Sequence, residues 1–276
     1  MRESSNPVFR SLPKQQGGYA TFGSGAAGAA TAQVHQGYEP YTVPPQTGVS
    51  RPMTIDDVVT KTGMTLLVLT AVAAVSYFLV DANNGLMMPF TLIGALGGLA
   101  LVLVATFGRK QDNPAIVISY AALEGLFLGA ASFLFANLVS NGGPGMIFQA
   151  VVATFGVFFG MLVVYKTGAI RVTPKLTRMI VAGMFGVLAL ALVNILFMAF
   201  SGSAPLTDGG PLAIGFSLLC IALAAFSFLI DFDAADQMIR AGAPEKAAWG
   251  VALGLTVTLV WLYLEILRLL SYFQND

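Results

Sequence analysis

Seven apolar runs follow one another along the chain, each close to the ~20 residues that cross a bilayer core as a helix. They cover residues 62–80, 86–107, 115–138, 146–165, 179–200, 212–230 and 247–270. Hydrocarbon offers the backbone no hydrogen-bond partners, so such segments satisfy their amides internally and become helices rather than strands. The breaks between them, DANNG, GRKQDNP, SNGGPG and SGSAPLTDGGP among others, are short and rich in turn formers. None has room for a further domain. The expected fold is all-α, a polytopic membrane protein of seven transmembrane helices. Composition agrees, because 56% of the 276 residues are hydrophobic and 10% are charged. A soluble domain carries about 25% charge.

The first 52 residues read differently. They are rich in Gly, Ala, Ser, Gln and Pro and hold too little apolar surface to offset the entropy of ordering. The expected division is a disordered cytoplasmic tail over 1–52 and a transmembrane domain over 53–276. Such a tail is inert or meets a protein partner through Phe9, Tyr19 or Tyr38. Thr54, followed by Asp56 and Asp57, marks a helix start. Every lysine and arginine except Arg268 falls before the first run or in the second, fourth and sixth loops. That bias places the N-terminus of a multi-pass membrane protein in the cytoplasm. Seven spans then carry the C-terminus outside, unless the seventh segment is re-entrant.

Several function classes drop out. The net charge is zero, which gives no ground for a nucleic-acid partner. The single histidine, His35, lies in the tail and the single cysteine, Cys220, lies within the sixth run. An HExxH zinc site or an intramembrane Ser-His dyad is therefore excluded, and neither an enzyme nor a cofactor is expected. The last run has no internal lysine for a retinal Schiff base. Small residues recur four apart at Gly94 and Gly98, Gly125 and Gly129, Gly156 and Gly160, and Gly250 and Gly254. This spacing lets helix backbones approach closely. No internal repeat supports an inverted-repeat transporter.

What remains is a small set of acids. A carboxylate in hydrocarbon costs several kcal/mol unless it is protonated, paired or wet. Glu124 lies nine residues into the third run and has no partner nearby in sequence. It is either hydrogen-bonded to a neighbouring helix or part of an ion path. Asp231 abuts the sixth run and either marks its end or has a function. Asp233 and Asp236 stand four residues before Gln237 and Arg240, an ordinary helix-surface spacing. Glu265, inside the last run, has Arg268 three residues on as a local partner.

Three stretches, ALEGLFLG, FLIDFDAADQMI and WLYLEILRLLSYF, occur in this order and resemble signatures of the Bax inhibitor family, including its bacterial YccA-like branch. The resemblance covers about residues 55–273 and leaves the tail outside. It implies a seven-helix bundle wrapped around its last helix, and a pH-sensitive calcium (cation) leak channel. In such a leak, carboxylates from the last two helices share a proton and gate the pore. Carried over by position, the gate pair is Asp231 with Glu265, where the family usually has Asp, and Asp233 is the alternative to Asp231. Glu124 falls on the ion path, Arg109 is the possible basic latch, and Asp231 and Glu265 would ligate the passing metal ion. The implied location is a bacterial-type plasma (inner) membrane, and the implied partners are the lipid bilayer, calcium and protons. Two alternatives stay open: a proton-coupled cation transporter, and a non-conducting regulator of stress response or membrane protein quality control. Geometry sets a condition on the gate. A last helix starting at Ala247 puts Glu265 about 27 Å along it. The two acids then meet only if the sixth helix kinks inward, the last helix starts later, or it sinks asymmetrically.

Overall fold

The computed structural model describes residues 51–139 and 143–274. Of the tail expected over residues 1–52, residues 1–50 lie outside them. Among the described residues there are seven α-helices and no strand: α1 (Ile55–Ala82), α2 (Met87–Phe107), α3 (Pro114–Leu138), α4 (Gly143–Thr167), α5 (Pro174–Ser201), α6 (Pro211–Arg240) and α7 (Ala248–Gln274). All seven are long and apolar enough to span a membrane.

Local chemistry explains where they begin. The Thr54 hydroxyl accepts the Asp57 amide at 3.4 Å while the Asp57 carboxylate accepts the Thr54 amide at 2.9 Å. This reciprocal box satisfies two otherwise orphaned donors at the start of α1. Asn113 and Thr173 cap α3 and α5, and each is followed by a proline at the first helical position. Proline loses nothing there, since that N–H has no helical partner.

The last helix is the centre of the bundle. Of its apolar stretch 67% is buried, against 11% for each of α4 and α5. It packs against α1, α3, α4 and α6. Leu255, Leu259, Leu262 and Ile266 of α7 join Phe228 and Phe232 of α6 in one core cluster. By contrast, α5 rests on α6 and presents Phe185, Leu188 and Leu192 outward. The helix α7 also runs unbroken for 27 residues. That is about 40 Å, long enough to cross a bilayer core.

Two of the four glycine pairs act as close-approach sites. A Cβ on Gly94 of α2 would stand 2.6 Å from the Leu123 carbonyl of α3, and one on Gly125 would stand 2.7 Å from the Leu69 carbonyl of α1. Gly129 is equally tight against Ala73 and Ser76. Glycine thus seats α3 between α1 and α2. Gly156 and Gly160 meet nothing within 4 Å, so that pair serves no close contact among the described residues.

Helices alternate in direction, so the start of α1, the α2–α3 loop, the α4–α5 loop and the α6–α7 turn share one end. Contacts confirm this for the turn. The Met53 amide donates to the Ala243 carbonyl at 2.7 Å, and the Glu245 amide donates to the Arg51 carbonyl at 3.0 Å. We call this the basic end, because the loop lysines and arginines gather there.

Candidate functional site at the seam of the last two helices

Asp231 lies on α6 nine residues before its end, and its carboxylate faces α7. There Thr258 donates its hydroxyl to Asp231 Oδ2 at 2.8 Å. The carboxylate also lines a cleft of about 500 Å³ that is walled by Arg109, Asp112, Met238, Gly250 and Gly254. These wall residues come from the α2–α3 loop, the end of α6 and the first turns of α7, so the cleft lies toward the basic end.

The structure does not bring Asp231 and Glu265 together. Glu265 forms an ion pair with Arg268, whose Nε donates to Ser217 Oγ of α6 at 3.2 Å. Thr258 and Glu265 are seven residues apart on one helix, an axial distance of about 10 Å. A shared proton and a common metal site between Asp231 and Glu265 are therefore ruled out in this conformation. The reason is register. An antiparallel hairpin pairs residues at similar distances from its turn; Pro244 is 13 residues beyond Asp231 and 14 before Thr258. The last helix does not start late enough to join the acids, since α7 begins at Ala248, and α6 continues helical through Asp231.

The other sequence-read residues separate clearly. Asp233 accepts from Gln237 Nε2 at 2.6 Å on an exposed face, whereas α6 turns Asp231, Ala234 and Met238 to the cleft. Asp236 pairs with Arg240 at 2.7 Å. Of the two gate alternatives, Asp231 is the one in the cleft. Arg109 reaches the same cleft and is the only non-glycine residue with positive φ among those described, at 51°. Glu124 lies over Gly98 at the α2–α3 contact, and its Oε2 is buried without a hydrogen-bond partner. It stands ten residues into α3, as Thr258 stands ten into α7, so both are about 15 Å from their helix starts. The residue that sequence reasoning missed is Thr258, which has no charge and nothing distinctive around it. Counting outward from the turn would have found it.

The seam has a definite proton chemistry. Thr258 Oγ1 lies 2.8 Å from the Asp231 carboxylate and 3.2 Å from the Gly254 carbonyl, yet it has one proton to give. When Asp231 is ionised, that proton goes to the carboxylate. When Asp231 is protonated, the acid donates to Thr258 and the threonine donates to Gly254. Both states leave the seam hydrogen-bonded, and only one places a charge in the cleft.

A seven-helix membrane bundle, with its central helix meeting a neighbour's acid at the edge of a polar cleft, is the class these observations define. The chain matches the Bax inhibitor 1 like family model over residues 6–275 and belongs to that family. A search of curated proteins gives no significant match. The family match starts at residue 6, so the tail is part of it, contrary to the narrower span of the motif resemblance.

Proposed function

We propose that the protein is a proton-sensitive cation leak, with calcium as the cation, and not an enzyme. Asp231 is its sensor, and the basic end faces the cytoplasm of a plasma membrane. Family membership supports the reading, and the observation that carries it is the Asp231–Thr258 contact at the wall of the cleft. Beyond Thr258 the seam is filled by buried Phe228, Leu259 and Leu262, so this is a shut state. Loss of the proton leaves a carboxylate facing the cleft that also holds Arg109. A divalent cation, which prefers hard oxygen ligands, then has Asp231, Thr258 and a backbone carbonyl to compete for. Flux accordingly rises with pH.

The test is calcium-dye flux into liposomes as the pH is stepped through neutrality. Asp231→Asn removes the pH dependence, Thr258→Val shifts it, and Glu265→Gln preserves it. No wild-type flux, or a pH profile unchanged by Asp231→Asn, overturns the proposal. Flux that saturates with calcium points to a transporter instead. The filled seam favours one further reading, a non-conducting regulator, which predicts that flux is absent while the Asp231→Asn chain retains its cellular role.

A further inference from the structure

The α6–α7 turn beside the cleft is held from two sides by adjacent residues of opposite charge. On one side, Glu245 accepts from Arg51 Nε at 3.2 Å and from Lys61 Nζ at 3.4 Å, and Lys61 also donates to the Glu245 carbonyl at 2.8 Å. On the other side, the Lys246 ammonium meets the Asp112 carboxylate of the α2–α3 loop at 3.1 Å. One residue earlier in that loop, Gln111 lies against the start of α7, with its Cβ 3.3 Å from where a Cβ on Gly250 would sit. The loop therefore lies across the first turns of α7, and three of its residues, Arg109, Gln111 and Asp112, line the cleft.

The two ties differ in strength. The Lys61 side chain is only 10% exposed and has two acceptors on Glu245, itself 39% exposed, and two backbone bonds, Met53 to Ala243 and Glu245 to Arg51, hold the same side, whereas the side chains of Lys246 and Asp112 are 64% and 38% exposed. An exposed pair is weak and is screened by salt, while a buried one is not. The α1 side of the turn is thus the fixed side and the α2–α3 side the releasable one. We propose that Asp112 and Lys246 form the latch of the cleft, and that breaking their contact frees the α2–α3 loop and widens the access of water and cations to Asp231.

The inference rests on the leak reading for its purpose, but its test uses no ion flux. In a Cys220→Ser background, Gly254→Cys places a thiol in the cleft, where a Cβ meets nothing within 4 Å. The full chain in lipid nanodiscs is treated with a charged maleimide. Asp112→Asn and Lys246→Gln each raise the labelling rate about 1.5-fold to fivefold, as expected for loss of an exposed ion pair. The double exchange Asp112→Lys with Lys246→Asp returns the rate to near the parent value. Raising salt speeds labelling of the parent and leaves the two single variants unchanged. Equal rates in all four chains at low and high salt overturn the latch. So does a double exchange that labels as fast as the single variants. Liposome flux measured alongside decides the leak separately, since labelling responds to the latch whether or not ions pass.

Discussion

Glu265 and Arg268 hold each other inside the bundle, with side chains only 10% and 19% exposed, and Ser217 and the Phe216 ring complete the Arg268 environment. Such a pair adds little net stability, because each charge lost its water to get there. Removing one partner is another matter, since it strands the other charge. Glu265→Gln should therefore lower stability by about 3 kcal/mol. Replacing both, as Glu265→Leu with Arg268→Met, should recover most of that loss. Asp231→Asn keeps a partner in Thr258 and should cost about 1 kcal/mol. Thermal unfolding of the four chains in one detergent checks the series, and a double variant no better than Glu265→Gln alone would contradict it. The Glu265–Arg268 pair was legible because it is local in sequence. Asp231–Thr258 was not, because a contact between residues 27 positions apart depends on the register of a hairpin, which no charge pattern announces.

At the scale of helices, the number, order and starts were readable from run length and capping chemistry, while the faces were not. All four glycine pairs look alike in sequence, yet only those on α2 and α3 sit where a side chain would strike a neighbouring backbone. A spacing motif reports that close approach is permitted, and packing decides whether it happens. Gly129→Leu would drive a side chain into Ala73 and Ser76 of α1, an overpacking worth about 1–3 kcal/mol or more. Gly160→Leu points into open space and should stay within about 0.5 kcal/mol of the parent. Melting temperatures compared side by side test this, and comparable losses at both positions would mean that α4 also makes a tight contact.

For the molecule as a whole, the sidedness argument gains from the position of Arg268. In sequence it was the one basic residue on the outer side of the count. In the structure it is partly buried and paired within α7, so it is not a loop charge at all. The loops at the far end, described at residues 83–86 and 202–210, then carry no lysine or arginine, while those at the basic end carry Arg109, Lys110, Arg171 and Lys246. Positive-inside bias acts on short loops of this kind, so the basic end should face the cytoplasm. Single cysteines at exposed Asn84 and Ser203, in a Cys220→Ser chain, should react with a membrane-impermeant thiol reagent added to intact cells. A cysteine at exposed Arg171 should react only after the membrane is opened. The reverse pattern would turn the cleft and its Asp112–Lys246 contact outward, and the pH sensed by Asp231 would then be that of the surroundings rather than of the cell interior.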